Sequence, residues 1–183
     1  MAKQIKTNDK NKAEEFYKKA LEEGQEGLMV KALDKPYKPG SRVGYSVKLK
    51  PEDNDFDLII TGAEYGTGKR AGWLTSFDVS CKDTETGELL EVGKVSTGLK
   101  EKKEEGLSFV ELTKKLKKNI KKEKARHVYV EPKIIVTVQY QNIQKSPTYS
   151  SGYALRFPRI KRERPDRGRK DIATLSEIKK EAE

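Results

Sequence analysis

Five charged side chains near the start of the chain could form one chemical site. Glu26 and Lys31 stand at the two ends of EGLMVK (26–31), Arg42 follows a Pro-Gly turn, and Lys48 and Lys50 close VGYSVKLK (43–50). In an extended strand Glu26, Leu28 and Val30 share one face, while Gly27, Met29 and Lys31 share the other. Lys48 and Lys50 likewise share a face of the strand that follows. Gly27, lacking a side chain, permits close backbone approach beside the acid. Four cations around one carboxylate suit a phosphate-bearing ligand accompanied by a divalent metal. Spacing alone leaves a second reading open: an exposed sheet face with scattered charges.

A second concentration of charge is TKKLKKNIKKEKAR (113–126). Read as a helix, it turns Leu116 and Ile120 inward and displays Lys117, Lys118, Lys121 and Lys122 on a basic face. Such a face serves either solubility or contact with a DNA backbone. The whole chain leans the same way. Its 183 residues carry 39 Lys and Arg against 29 Asp and Glu, a formal charge of +10, so a polyanionic partner is expected. No apolar run approaches the ~18 residues of a membrane span, and no apolar leader opens the chain, so an intracellular protein (cytoplasm or nucleoid) without a membrane partner is expected. One cysteine, Cys81, and one histidine, His127, exclude an internal disulfide and argue against structural zinc. Cys81 reads as a small buried hydrophobe, His127 as a surface or packing residue without a partner in sequence, and Trp73 as core. GAEYGTGKR (62–70) hints at a phosphate-binding loop. Its spacing is one residue too long, and Arg70 stands where Ser or Thr would meet magnesium, so a hairpin turn is the better reading.

The elements that must position these groups follow from periodicity. Ala13, Phe16, Tyr17, Ala20 and Leu21 recur at helical spacing between Asp9 and Glu23, and Gly24 stops the helix. Short strands are expected at 27–33 and 43–50. PEDND (51–55) is the clearest boundary, with a proline, acids and nothing apolar. Beyond it, strands are expected at 57–65, 73–81, 89–96, 128–140 and 152–160, with a helix at 107–123 before the fourth and a charged helix at 171–183. Five strands with a helix in that place suit a small closed barrel of the oligonucleotide-binding (OB) type. The fold class is therefore mainly β with helices, an OB-fold five-stranded barrel preceded by a helix-plus-strands segment. The domains are 1–50, a hinge at 51–56, the barrel at 57–168 and a C-terminal helix at 169–183. One helix and two strands cannot bury a core alone, so residues 1–50 need a further packing partner.

EGLMVKALDKPYKPGSRVGYSVKLKP resembles nucleotidyltransferase motifs IV and V of ATP-dependent DNA ligases, most closely the archaeal replicative ones. DLIITGAEYGTGKRAGWLTSF, VGKVSTG and VEPKIIVTVQYQNIQKSPTYSSGYALRFPR resemble the ligase barrel domain, so the likeness runs through about five-sixths of the chain. RPDR (164–167) resembles motif VI, R-x-D-K, with Arg167 in place of lysine, and Thr137 stands where the family usually has glutamate. The resemblance implies that residues 1–50 are the C-terminal remnant of an adenylation domain. It assigns Glu26 to metal (Mg2+), Lys31, Arg42, Lys48 and Lys50 to ATP and its phosphates, and Arg164, Asp166 and Arg167 to the pyrophosphate leaving group.

The same resemblance implies three nucleotidyl transfers: AMP passes from ATP to an enzyme lysine, then to a 5′-phosphate at a nick in duplex DNA, and is displaced by the 3′-hydroxyl. The family's nucleophile lies in K-x-D-G, which this sequence lacks; Lys82-Asp83 is followed by Thr84-Glu85. The implied partners are therefore nicked duplex DNA and an upstream ligase segment that bears the lysine, and the chain alone is expected to be inactive. The alternative from another class is a non-catalytic OB-fold module that binds nucleic acid.

Overall fold

The computed structural model describes residues 3–36, 44–50, 54–101 and 107–182. They divide into two compact units, residues 1–52 and 53–183. Unit 1 holds helix α1 (Lys10–Glu22), whose N-cap Asp9 accepts from the Asn11 amide at 2.8 Å, and an antiparallel pair, β1 (Leu28–Lys31) and β2 (Ser46–Leu49). Both strands are almost wholly exposed. Leu28, Val30, Val47 and Leu49 fall on one face of the pair by register, and the last three are each more than 40% exposed.

Unit 2 contains β3 (Asn54–Tyr65), β4 (Leu74–Lys82), β5 (Leu89–Val95), α2 (Phe109–Lys117), β6 (Ile120–Lys124), β7 (His127–Val130), β8 (Ile135–Tyr140), β9 (Asn142–Lys145), β10 (Tyr153–Arg156), β11 (Arg159–Glu163) and α3 (Leu175–Glu181). The long strand β3 organises them. It pairs with β4 over residues 59–65, takes β8 against residues 54–59, and takes β7 against residues 62–64. Among the described residues the main path runs β11-β8-β3-β4-β5, with β6 extending from β7 and β9 paired to β10 as a separate ribbon.

Among the described residues the fold is mainly β with three α-helices, as expected, but the strands do not form one continuous closed ladder. Between β5 and β11 the gap is spanned instead by Ile160 N donating to Thr97 O at 3.0 Å and Thr97 Oγ1 donating to Pro158 O at 2.9 Å. Gly98 (φ +96°) lies so close to Ile160 O that a Cβ there would collide with it. Phe77, Val79, Val92, Leu112, Leu116, Val136, Val138 and Ile160 fill the interior.

Four elements differ from expectation for identifiable reasons. The helix expected at 107–123 ends at Lys117, and Lys118 caps it; Ile120–Lys124 instead pairs with β7 through a two-residue turn in which Ala125 adopts φ +55°. Hairpins of this length normally advertise themselves with Asn-Gly or Asp-Gly, and Ala125-Arg126 carries no such signal. The single strand expected at 128–140 is broken by Pro132, which has no amide to donate, so β7 and β8 meet β3 at different places. Pro158 likewise splits the strand expected at 152–160, and β10 finds a partner in β9, which sequence reading missed. Finally, β3 begins at Asn54, inside the stretch expected to be a hinge, while residues 51–53 lie outside the described ones.

The C-terminal segment belongs to the body of unit 2. Ile172 joins Ile59 and Ile135 in a second apolar cluster on the outer face of β3, which explains why DLII is apolar on successive residues rather than alternating. Ala173 N donates to Asp57 O and Lys82 N donates to Ala173 O, both at 2.9 Å, and a capping box of Thr174 and Glu177 starts α3.

Candidate functional site

Of the first group of expected residues, Glu26, Lys48 and Lys50 come together beside Gly27. The φ of +132° at Gly27 breaks strand alternation, and a Cβ would collide with Leu49 O across the pair. The break releases Glu26 from the face that strict alternation assigns it. Its carboxylate swings to the lysines, with Lys48 Nζ at 2.6 Å and Lys50 Nζ at 3.5 Å. The hydrogen bond from Lys48 and the nearby charge of Lys50 hold the Glu26 carboxyl below its ordinary value. Lys48 lies opposite Met29 in the ladder and Lys31 opposite Ser46, so Lys31 and Lys48 share a face. Arg42 lies outside the described residues. What remains is one acid among lysines on an exposed ribbon, a surface able to receive phosphate oxygens.

Among the described residues no three of His, Cys, Asp or Glu come together as a metal cage. Glu26 offers one carboxylate, which matches the habit of magnesium of taking one or two carboxylates and completing its shell with phosphate oxygens and water.

The second group is built where β3, β8 and the segment after β11 converge. Arg164 Nη1 donates to Asp57 Oδ2 at 2.8 Å, and its Nε and Nη2 donate side by side to Asp166 at 2.9 and 2.8 Å. The paired bonds push Asp166 down to about 2 and raise Arg164 further above its usual value. Asp57 is held in turn by Thr137, whose hydroxyl donates to Oδ1 at 2.6 Å; Arg162 Nε reaches the same hydroxyl at 3.5 Å. Arg167 stands at the rim, with Nε 3.8 Å from Asp57 and 3.9 Å from Asp166. Arg164 and Arg167 line a shallow recess of about 350 Å³ together with Asp55, Asp171 and Glu177. The three motif-VI-like residues are thus brought together, and two residues that sequence reading did not place among them, Asp57 and Thr137, prove to organise them.

The four basic-run lysines do not share one helix face. Lys117 closes α2 with its ammonium 5.5 Å from the centre of the Tyr65 ring, and Lys118 is the cap. Lys121 and Lys122 belong to β6, Lys121 within 3.8 Å of Glu131 and Lys122 opposite Tyr129.

His127 has a partner after all: Asp78, 2.6 Å away, in a network that continues through Lys94 to Glu64. Burial pulls the Lys94 ammonium down, but the bond to Glu64 and the charge of Asp78 outweigh it, so its net shift is upward. Cys81 is fully buried, and Trp73 is partly buried against the core, as expected. GAEYGTGKR is the β3–β4 hairpin connection, closed by Gly66 N donating to Trp73 O at 2.8 Å.

Phe157 was also missed. It is 67% exposed, adopts φ +52°, and has the Arg156 guanidinium 5.0 Å from its ring centre. A bulky residue held in the left-handed region and shown to solvent is a signal for function. The sequence carried half of that signal in Arg-Phe-Pro-Arg, where the chain must turn before Pro158.

Residues 70–167 match the family described as the ATP dependent DNA ligase C terminal region, and residues 1–50 match the ATP dependent DNA ligase domain. A DNA ligase of Nanoarchaeum equitans is 56% identical over 173 residues, which is 93% of this chain and 30% of that protein. One from Thermococcus onnurineus is 47% identical over 178 residues, 97% of this chain and 31% of that protein. The chain therefore spans about a third of the length of these relatives. Among solved structures, Pmar-Lig_PreS3 covers 84% of this chain and is itself covered over 30%, with a TM-score of 0.61 at 26% identity. The ligase domain of M. tuberculosis LigD shares the fold, with a TM-score of 0.54 at 24% identity, 86% of this chain and 50% of that one being covered. With more than half of its length matched by the C-terminal-region family, the chain belongs to the ATP-dependent DNA ligases.

Proposed function

We propose that this chain supplies the C-terminal part of a DNA ligase that seals nicks in duplex DNA through lysyl-AMP and DNA-adenylate intermediates. The observation that carries the reading is the succession of two ligase regions along one chain, each containing a charged cluster of the chemistry the reaction needs.

In the first transfer the phosphate charge of ATP must be met and the pyrophosphate must leave. Lys48, Lys50 and Lys31, with Arg42, neutralise nucleotide oxygens, and Glu26 contributes one carboxylate oxygen toward the magnesium that travels with ATP. That ion, when bound, offsets phosphate charge. Pairing with Lys48 keeps Glu26 ionised and prevents it from repelling the nucleotide. The Arg164–Arg167 segment stabilises charge that builds on the departing pyrophosphate.

In the later transfers unit 2 grips the nicked duplex. Its contacts fall mostly on phosphate and sugar, because a ligase must act on any sequence. Lys117, Lys118, Lys121 and Lys122 offer phosphate contacts, and Phe157 between Arg156 and Pro158 offers an apolar edge of the kind that enters a minor groove. The apolar face of β1 and β2, with Val30, Val47 and Leu49 exposed, is the surface an upstream segment would cover.

The test is reconstitution. Incubated with labelled ATP and magnesium, the chain alone should acquire no covalent AMP. Mixed with the K-x-D-G-bearing upstream portion of a similar archaeal ligase, it should restore lysyl-AMP formation and nick sealing. Lys48→Ala should slow the first transfer by about 10²–10³, the usual loss for one preorganised donor, while Lys82→Ala should leave it unchanged. Binding of duplex without restored AMP transfer would instead favour the non-catalytic nucleic-acid module.

A further inference from the structure

Arg164 has little of its guanidinium left to offer a ligand. Three of its N–H groups are committed to Asp57 and Asp166 at 2.8–2.9 Å, and its side chain is 15% exposed. Arg167 is the opposite case: 43% exposed and beyond hydrogen-bond distance of both carboxylates. The two are joined by a turn in which Arg167 N donates to Arg164 O at 3.1 Å. Whatever fixes Arg164 therefore fixes the base from which Arg167 projects.

Asp57 is what fixes it. The carboxylate is 14% exposed, with Oδ1 held by the Thr137 hydroxyl and Oδ2 held by Arg164. Its peptide carbonyl accepts from Ala173, which pins the backbone from the other side. Withdrawing Arg164 toward a ligand would strand a largely buried carboxylate without its counter-charge, which is strongly unfavourable. Arg167 can move to a phosphate without breaking a hydrogen bond.

We propose that Asp57 is a positioning residue for the first nucleotidyl transfer: oriented by Thr137, it locks Arg164, and the locked Arg164 sets the turn so that Arg167 is the guanidinium presented to the leaving pyrophosphate. This rests on the functional reading above. In that step the upstream lysine nitrogen bonds to the α-phosphorus and its proton is lost to solvent. The α–β P–O bond breaks, and its electron pair leaves on the pyrophosphate. Arg167 acts on that developing charge, and Asp57 acts only through Arg164.

The experiment measures AMP transfer from labelled ATP by the chain paired with the K-x-D-G-bearing segment, as a function of ATP concentration. Arg167→Ala should lower kcat by about 10²–10³. Asp57→Asn should lower kcat by up to about 10²-fold, the scale of loss when a reacting group is misplaced, with KM for ATP little changed. The double variant should be no slower than Arg167→Ala alone. Thr137→Val keeps shape and charge but removes the hydroxyl, and should lower kcat in the same direction by a smaller factor. Thermal melting separates a folding defect from a positioning one; if Asp57→Asn does not fold, Thr137→Val decides alone. Wild-type kcat in the variants, or losses that multiply in the double variant, would overturn this inference. No AMP transfer by the wild-type pair would overturn the functional reading on which it rests.

Discussion

His127 and Asp78 are hydrogen-bonded at 2.6 Å although a strand runs between theirs. His127 lies on β7 opposite Glu64, and Asp78 lies on β4 opposite Gly62, so the bond passes diagonally over β3. It does so because Gly62 has no side chain. A Cβ at that position would collide with Asp78 Oδ2 and come within 3.1 Å of the imidazole Cε1. The bond ties β7, and through it β6, to the central sheet, while Lys94 on β5 approaches the other oxygen of Asp78 at 3.5 Å.

Gly62→Ala should therefore destabilise unit 2 by about 1–3 kcal/mol, the usual cost of forcing extra volume into a packed site. Calorimetry or urea unfolding would show it, and a stability equal to that of the parent protein would mean that the strand-crossing bond contributes nothing. Asp78→Asn, which retains the volume, should cost less than Asp78→Ala.

Cys81 should be chemically silent in the folded protein. Burial pushes its thiol up to about 11, so almost no thiolate exists near pH 8, and the side chain is inaccessible. Modification by a thiol reagent should proceed only as fast as unit 2 opens and should accelerate with urea. Rapid stoichiometric labelling without denaturant would contradict the burial of this strand.

Acid should loosen the Arg164 cluster in a defined window. Asp166 is held at about 2 by Arg164, against an ordinary value of 3.8. A carboxyl depressed on folding stabilises the folded form above its unfolded value, and that contribution fades as pH falls from about 4 toward 2. Carboxyl carbon NMR should find Asp166 titrating near the bottom of that window, and Arg164→Gln should return it toward the ordinary value. A normal midpoint in the parent protein would refute the bidentate pair.

DNA affinity should separate charge from shape. Each lysine that meets a phosphate contributes about 0.9 to the slope of log affinity against log salt. Replacing Lys117, Lys118, Lys121 and Lys122 with alanine should therefore flatten the slope in proportion to the phosphates these lysines neutralise. Phe157→Ala should weaken duplex binding with the slope preserved, because the ring carries no charge. An unchanged slope in the lysine variant would return that run to plain solvated surface.

Much of this was legible in the order of residues alone. The α1 periodicity, the short strands on either side of PEDND and the ordered ligase-like motifs pointed to the ligase family that the comparisons show, and singled out Glu26, Lys31, Arg42, Lys48, Lys50, Arg164, Asp166 and Arg167 as the expected site residues. These are properties of local pattern: helical spacing, strand alternation and residue types at fixed offsets need no distant neighbour to be recognised. The partnerships that organise the charges are not local. Asp57 meets Arg164 across 107 positions and Thr137 across 80, and His127 finds Asp78 49 positions away. No periodicity encodes such pairs; the register of β3 against β4, β7 and β8 does. The same holds for the lysines of 117–122, which read as one helical face until Ile120 exchanged helix hydrogen bonds for pairing with Val130. Local propensity proposed the elements, and the hydrogen bonds available between strands decided where one ended and which side chains came to face each other.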